Sequence, residues 1–443
     1  MFEKLNSEIL EGLRKLSILD THTHLTCGKL GARGLHDILL YHMVIADLYT
    51  AGCPNGARLT EFPGYPSEKE AHTRLKEAIP YLKNIRNTSC FWGVRTILKD
   101  LYNWTEEIDS SNWKDLDNRI RERANDRSWH REIAKRAGIQ RFTTELARRE
   151  GGVDDDMFQY SMEWAFFTRT QRSEFDSALY ELERCWGHEP GSPIPHSAGH
   201  RPKIDRMIKT LDDVKAAMAH YITKLVTSPV LSMATHISSD ISFRQVSDTE
   251  MVKALKKRAN AGVEERDIYA SYIHEAFLKA LEPYADRIVF QFSLAAEPLP
   301  FNTASIVPQK ALTSLAEIVA RHPRIKFHCF EASRHANQSI CSMCRGLPNL
   351  SVAAYWWHNF FPGAICQILE ERLDMLAANC QVGFFSDAYC IEWSYAKAEI
   401  IKRQMAQVLA KKVAMGQYSQ DEALAIARDI LYGTAQYLLK MEA

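Results

Sequence analysis

Short apolar runs alternate with longer amphipathic stretches along the C-terminal half of the chain. The short runs are rich in aromatic and β-branched residues and predict strands, at 228–238, 287–295, 324–332, 350–357 and 382–388. The intervening stretches repeat apolar residues at helical spacing, at 248–285, 308–323, 336–348 and 363–380. Upstream, 139–147 and 163–169 are further strand candidates, and 1–16 predicts an amphipathic helix.

Strands separated by helices are typical of parallel βαβ units, and this number of units predicts a (β/α)8 TIM barrel. The segment 30–130 interrupts the rhythm because it is helix-rich and holds few strand candidates. We therefore expect three parts. Residues 1–29 form the first helix and strand 1, 30–130 a helical insertion after strand 1 that covers one mouth of the barrel, and 131–443 the remainder.

The first predicted strand ends in two histidines separated by one residue, in the sequence LSILDTHTHL. Successive side chains of a strand point to opposite faces, so Asp20, His22 and His24 share one face. Two imidazoles on one face form half of a metal site, although two ordinary polar residues at a strand end would give the same pattern. The metal interpretation therefore needs a further ligand from elsewhere in the chain.

A carboxylate in the last strand supplies that ligand. The run 382–388 ends in Ser386-Asp387-Ala388, and the first and last strands of a closed barrel are neighbours whose carboxyl ends meet on the active-site face. Two imidazoles and one carboxylate leave an open coordination position, which is the catalytic arrangement for zinc. The sequence thus predicts Zn²⁺ or another divalent metal on His22, His24 and Asp387.

Other predicted strand ends carry polar and aromatic side chains that fit more than one role. His236 could be a third imidazole ligand, a substrate contact or a structural residue, and we favour the last two. Glu331 and Arg334 fit a buried salt bridge as well as catalysis. Trp356, Trp357 and His358 fit either plain core or a surface that packs against a sugar ring.

Composition and charge narrow the classes of partner. Lys plus Arg and Asp plus Glu both number 55, so no net charge favours nucleic acid. No apolar run reaches the roughly 20 residues that span a bilayer, and the first helix lacks the apolar core of a signal peptide. The ten cysteines are scattered, as in reduced proteins of the cytoplasm. We expect a cytoplasmic enzyme, without a nucleic-acid or membrane partner, that forms a homo-oligomer.

Several segments in order resemble uronate isomerases of the amidohydrolase superfamily. LDTHTHL, LLYHMVIADLYTAGCPNG, YLKNIRNTSCFWGVRTILKDLY, AAYWWHNF and EERLDMLAANCQVGFFSDA match the family's motifs across nearly the whole chain. The resemblance implies a metal-binding (β/α)8 barrel that converts an aldehyde sugar acid into its keto isomer, such as glucuronate into fructuronate. It places the metal, usually zinc, on His22, His24 and Asp387, with Asp387 and His42 in catalysis.

Two departures from the family pattern concern the substrate. Met43 stands where the family has a tyrosine, and Tyr389 stands where it has an arginine. Arginine grips a carboxylate through two hydrogen bonds, and neither tyrosine nor methionine replaces that contact. Arg334 and, roughly, Arg169 match arginines of the family. We therefore expect altered recognition of a small carbohydrate substrate.

Three functions stay open. The first is isomerisation of a uronate or related sugar acid, and the second is metal-dependent hydrolysis or a lyase reaction on the same barrel. The third is a non-catalytic binding module, which the retained His22, His24 and Asp387 argue against.

Overall fold

One parallel sheet organises the chain. The computed structural model describes residues 2–54, 67–149, 156–163, 178–187, 206–237, 243–294, 307–356, 358 and 360–440. Eight strands form a single curled sheet in the order β1 to β8, and every neighbouring pair is parallel. They are β1 Ile18–Thr23, β2 Ile139–Glu145, β3 Phe158–Glu163, β4 Val230–Ile237, β5 Val289–Leu294, β6 Phe327–Glu331, β7 Leu350–Ala353 and β8 Gln381–Val382.

Helices occupy most of the chain between and after the strands. Before β2 they are α1 Phe2–Arg14, α2 Leu35–Leu39, α3 His42–Thr50, α4 Glu68–Ala78, α5 Ser89–Tyr102, α6 Trp113–Arg121 and α7 Arg127–Ala137. Between β3 and β7 they are α8 Ala178–Gly187, α9 Leu211–Thr227, α10 Asp248–Lys256, α11 Val263–Leu281, α12 Gln309–Arg321 and α13 Asn337–Gly346. The last are α14 Pro362–Met375, α15 Ile391–Ala414, α16 Gln420–Arg428 and α17 Thr434–Leu438.

The strand sequences suit a sheet that is covered on both faces. Every residue of β5 is buried, aromatic and polar positions alike, as expected where helices pack on the outside and the sheet curls around an interior. The helix α15 is buried along most of its length and packs against α1, α5, α7 and α14. It therefore links the first helix of the chain to two helices that precede β2 and one that precedes β8.

The turn before β2 sets the register of the first two strands. Helix α7 ends at Gly138, whose φ of 78° is favourable only for glycine. A Cβ at this position would lie 2.7 Å from the carbonyl oxygen of Leu16. The close approach lets Ile18 N donate to Gly138 O at 2.8 Å, which starts the pairing of β1 with β2.

Backbone hydrogen bonds also join β1 to the segment that follows β8. Asp387 N donates to His22 O at 3.0 Å, and His24 N donates to Ala388 O at 2.9 Å. The first strand of the sheet is thus connected to the last at their carboxyl ends. This contact brings the two halves of the predicted metal site together.

The regular strands are shorter than the apolar runs that predicted them. The runs 350–357 and 382–388 contain β7 and β8, but the ladders stop at Ala353 and Val382. Beyond Val382 the backbone leaves the extended conformation, and Asp387 has a φ of 51°. Apolar composition alone does not report that change of backbone direction.

Two further predictions can be compared only in part or change in detail. Strand β3, Phe158–Glu163, alternates apolar and polar residues and ends at the first residue of the strand predicted at 163–169, while 164–169 fall outside the described residues. The stretch 248–285 holds two helices, α10 and α11, because the chain turns through Arg258–Asn260 and Gly262 between them.

The region between β1 and β2 is helical where the structure describes it, in α2 to α7. Its status as an insertion that caps the barrel mouth stays a prediction. Within the described chain, no helix combines the length and apolar character that crossing a bilayer requires.

Candidate metal centre

Strand β1 presents its two histidines to the carboxylate of Asp387. His22 Nε2 lies 3.5 Å and His24 Nε2 lies 3.1 Å from Asp387 Oδ1. The three candidate ligand atoms all lie within 4.8 Å of one another. The alternation of side chains along β1 therefore aims both imidazoles at one point, as the sequence predicts.

Asp387 sits in a backbone conformation that its surroundings impose. Its φ of 51° is uncommon for a residue other than glycine, although aspartate tolerates it better than most. Tyr41 Oη donates to Asp387 O at 2.7 Å, and Lys397 Nζ donates to Tyr41 Oη at 2.9 Å. Tyr41 and Lys397 are both buried. Such backbone strain persists only where neighbours fix the chain, and it concentrates at functional sites.

Asp20, on the same strand as the histidines, has a different partner. Its Oδ1 accepts a hydrogen bond from Ser386 N at 2.8 Å. Burial raises the pKa of the Asp20 carboxyl to about 7, although the bond from Ser386 opposes the shift. Asp20 therefore ties β1 to the segment that carries Asp387, two residues before His22 on the strand.

A carboxylate that the sequence analysis did not single out orients His24. Glu145, the last residue of β2, places Oε1 2.9 Å from His24 Nδ1. With the Nδ1 proton donated to this carboxylate, Nε2 is the nitrogen that faces Asp387, and it can bind a metal once its own proton has left. Metal-binding histidines are commonly held by such a carboxylate contact to their second nitrogen. The signal in the sequence was a glutamate at the carboxyl end of the strand that neighbours β1.

The pKa values of His24, Glu145 and Asp387 show that the centre stabilises positive charge. Burial by itself lowers the pKa of His24, but Asp387 and Glu145 outweigh it and raise that pKa to about 9. Burial likewise opposes ionisation of Glu145, yet the contact with His24 brings its pKa down to about 2. Burial also opposes ionisation of Asp387, whose pKa His22 and His24 hold well below the usual range.

The three side chains fit a divalent ion. Zinc–nitrogen and zinc–oxygen bonds of about 2.0–2.2 Å in a tetrahedron put neighbouring ligand atoms roughly 3.3–3.6 Å apart. The distances of 3.1 and 3.5 Å from Asp387 Oδ1 to the two imidazoles are close to that value. Lone pairs of His24 Nε2 and Asp387 Oδ1 at this separation repel one another unless a proton or a cation lies between them.

Aromatic rings line the side of the centre that the sequence assigns to substrate. The Tyr389 ring stacks on the His24 ring with centroids 4.5 Å apart and planes 14° apart. His42 lies at the start of α3 with its ring centroid 4.2 Å from that of Tyr41 and 6.0 Å from that of Tyr389. Burial lowers the pKa of His42 to about 4, so this imidazole is neutral at pH 7. The adjacent Met43 is partly buried and packs against the core.

Arg148 is a second residue that sequence reasoning missed. It ends the short 3₁₀ turn Leu146–Arg148 that follows β2. Its Nη2 lies 3.4 Å from His24 Nδ1, its Nε lies 3.3 Å from Glu145 Oε1, and its guanidinium carbon lies 6.0 Å from the centroid of the Tyr389 ring. A basic residue in a predicted loop gives no signal of this position, which depends on how β1, β2 and the segment after β8 meet.

The remaining predicted substrate residues lie elsewhere or outside the described residues. Arg334 is exposed and donates to Gln367 Oε1 at 3.0 Å, and Trp356 is buried in the core. His358 is partly buried, and burial lowers its pKa to about 4 although its ring bonds to the backbone of Ala332. Arg169, Trp357 and the side chain of His236 fall outside the description. Their roles at a substrate site stay predictions.

Comparison with solved structures supports the fold. A uronate isomerase from Thermotoga maritima superposes with a TM-score of 0.76 at 13% identity, covering 98% of this chain and 97% of that one. A glucuronate isomerase from Caulobacter crescentus gives a TM-score of 0.76 at 14% identity, covering 100% and 95%. A Lactobacillus casei protein provisionally assigned as a metal-dependent hydrolase gives 0.58 at 13% identity, covering 97% and 96%. No protein-family model matches the chain, and no curated protein matches it in sequence.

Proposed function

We propose that the protein is a metal-dependent isomerase of a sugar acid, interconverting an aldehyde form and its keto isomer. The observation that carries the proposal is the convergence of His22, His24 and Asp387 within 4.8 Å, in a fold shared with two isomerases of this type. A divalent ion, zinc by preference, would be held by these three side chains. When bound, it supplies an electrophile for the negative charge that develops on the substrate oxygen.

The isomerisation moves one proton from C2 to C1 of the sugar and another between the two oxygens. We assign the transfer of the carbon-bound proton from C2 to C1 to Asp387. Its Oδ1 faces the imidazoles, and its second carboxylate oxygen is the candidate base. We assign the transfer of the hydroxyl proton between the two substrate oxygens to His42, because a neutral imidazole offers one N–H and one lone pair. Its pKa of about 4 keeps it in that form throughout the neutral range.

Substrate recognition differs from that of ordinary glucuronate isomerases in this proposal. Tyr389 can donate one hydrogen bond through its hydroxyl, whereas a guanidinium would donate two to a carboxylate. A hydrogen bond to a charged group contributes roughly 1.5–3 kcal/mol, so its loss costs about ten- to a hundredfold in binding or rate. We therefore expect glucuronate to be a poor substrate.

The test is an assay of zinc-loaded protein with glucuronate, galacturonate and glucose, followed by proton NMR in deuterated water. We expect wild-type turnover of the uronates below about 1 per second, the lower end of the ordinary enzyme range. The Met43→Tyr, Tyr389→Arg double variant should turn glucuronate over about ten- to a hundredfold faster. Asp387→Asn and His42→Ala should abolish exchange at C2, whereas the exposed Asp286→Asn should not.

Two results would contradict the proposal. Wild-type turnover of glucuronate well within the ordinary enzyme range would show that recognition is unaltered. Absence of uronate isomerisation in both wild type and the double variant would remove the isomerase assignment.

A metal-dependent hydrolase is the second candidate, because the Lactobacillus casei structure shares the fold over nearly the whole chain. The same metal centre could activate water toward a lactone or ester of a small carbohydrate. Hydrolysis of gluconolactone above the spontaneous rate, lost in Asp387→Asn, together with no exchange at C2 of any uronate, would favour this candidate.

A further inference from the structure

We propose that Arg148 binds the anionic group of the substrate from a different strand end than Tyr389, so that the protein holds a carboxylate, but not at the place where a glucuronate isomerase holds it. This inference rests on the proposed function in that it concerns the same site. It names a residue that neither the strand pattern nor the sequence motifs indicate.

The position of Arg148 is fixed by its backbone. The carbonyl oxygen of Arg148 accepts a hydrogen bond from Cys27 N at 3.1 Å, which ties the turn after β2 to the loop after β1. Thr144 Oγ1 donates to Leu25 O at 2.7 Å, which joins β2 to the same loop after β1. A guanidinium on this anchored turn is preorganised beside His24, which reduces the entropy lost on binding.

The guanidinium contacts Glu145 through Nε and His24 through Nη2. Its Nε lies 3.3 Å from Glu145 Oε1, but the geometry is not that of a hydrogen bond, and within the described chain this buried nitrogen has no hydrogen-bond partner. Its Nη2 faces His24 Nδ1 at 3.4 Å, and that nitrogen is already bonded to Glu145. Because Nε is buried and pairs with Glu145, and Nη2 faces His24, an acceptor from solution would have to bind the guanidinium at its terminal amino groups.

The Arg148 side chain is also accessible, with 22% of its surface exposed. It lies against the Tyr389 ring, which stacks on His24. An acceptor from solution can therefore reach the exposed part of this side chain, next to the Tyr389 ring. A carboxylate there could accept two parallel N–H bonds from the guanidinium.

The other cations near the centre are occupied or distant where the structure describes them. Lys397 is fully buried and its ammonium is bonded to Tyr41 Oη and Ser386 O. Arg334 is exposed and bonded to Gln367 on α14. Among the described residues, Arg148 thus combines positive charge, access and contact with the candidate ligand His24.

The charge of the assembled centre favours an anion. Asp387 and Glu145 together neutralise a divalent ion, and histidines that bind a metal are neutral. Asp20 carries part of a negative charge at pH 7, since its pKa is about 7, so Arg148 and Lys397 together still leave the site with an excess of positive charge. A site of this kind attracts an anionic substrate and discriminates against a neutral one of the same shape.

The experiment compares binding of gluconate, a non-isomerising carboxylate, with that of sorbitol, its neutral analogue, by calorimetry on zinc-loaded protein. We expect gluconate to bind wild type at least tenfold more tightly than sorbitol. Arg148→Gln should weaken gluconate about ten- to a hundredfold, as for a lost hydrogen bond to a charged group, and leave sorbitol unchanged. Arg148→Lys should bind gluconate with intermediate affinity, because lysine keeps the charge but cannot donate two parallel hydrogen bonds to a carboxylate.

Arg136→Gln on α7 is the matched control, since it removes an exposed arginine paired with Glu132. Zinc content and melting temperature are measured for every variant. If Arg148 only supports Glu145, the Arg148→Gln variant loses zinc and weakens both ligands alike, which overturns the proposal. Wild type that does not prefer gluconate, or Arg148→Gln that binds it as wild type does, also overturns it. Because gluconate binding needs no turnover, failure of the isomerase assignment leaves this result interpretable.

Discussion

Replacing Glu145 by glutamine should weaken metal binding without removing any ligand of the metal. Glu145 is buried, and its Oε1 lies 2.9 Å from His24 Nδ1, on the opposite side of the ring from Nε2. The carboxylate therefore fixes both the rotation of the imidazole and the nitrogen that carries its proton. Glutamine is nearly isosteric and its amide oxygen can still accept the Nδ1 proton, so the substitution removes charge and leaves the shape.

The magnitude follows from two separate arguments. A hydrogen bond to a charged group contributes about 1.5–3 kcal/mol and a neutral one about 0.5–1.5 kcal/mol. Loss of the charge alone therefore costs on the order of 1–1.5 kcal/mol, which is about five- to tenfold in a binding constant. The loss of a carboxylate partner behind a metal-binding histidine typically costs about 10- to 100-fold in affinity. The two arguments meet at about tenfold, and we expect the zinc dissociation constant of Glu145→Gln to rise by about that factor.

The assay is competition for zinc between the apoprotein and a chromophoric chelator at pH 7. Glu132→Gln is the matched control, because it removes a carboxylate that is 43% exposed and paired only at the surface of α7. Surface pairs of this kind contribute little, so its zinc affinity should stay at the wild-type value. An unchanged zinc affinity in Glu145→Gln, with a wild-type melting temperature, would refute the role of Glu145 and the assignment of His24 Nε2 as the metal-facing atom.

Three further predictions concern the same centre. Wild type should carry about one tightly bound divalent metal per chain, and His22→Ala should lower that content severalfold by elemental analysis; equal content in both proteins would remove His22 from the ligand set. In the metal-free protein the pKa of His24 is raised to about 9. The protonated imidazole therefore stabilises the folded metal-free protein fully below the pKa of about 6.5 that histidine has in the unfolded chain, and this contribution is lost as the pH rises through 9. Because a metal replaces this proton, zinc affinity should rise about tenfold per pH unit between 7 and 9, and a flat profile would mean that His24 is not the group displaced. Tyr41→Phe should destabilise the fold by about 1–3 kcal/mol in urea unfolding, since it leaves Asp387 O and Lys397 Nζ without the hydroxyl that joins them; a change below about 0.5 kcal/mol would be the ordinary surface value and would contradict that role.

The periodicity of the sequence determined most of the fold, because it depends on local geometry. Apolar runs such as 287–295 and 324–332 predicted β5 and β6, since a strand buried on both faces has few alternatives to a continuous apolar run. The same reasoning failed at 382–388, where the backbone turns and Asp387 takes a positive φ. A turn that is held by Tyr41 and His22, far away in the chain, leaves no local pattern.

The three candidate ligands were also accessible from the sequence, for two different reasons. His22 and His24 lie two residues apart on one strand, so strand geometry alone puts them on one face. Asp387 came from topology, because the first and last strands of a closed sheet must be neighbours. In the structure the three atoms lie within 4.8 Å of one another, and that they bind a metal stays a prediction.

The groups around the ligands were decided only by the tertiary structure. Glu145, Arg148 and Lys397 reach the centre from the end of β2, the turn after it and the helix α15. Nothing in their own sequence surroundings distinguishes them from other charged residues. Their role depends on which strand ends meet and how the guanidinium, the carboxylate and the imidazole pack. Local sequence thus specifies the strand that carries a ligand, whereas the charges that tune it come from contacts between segments more than a hundred residues apart, such as His24 and Glu145.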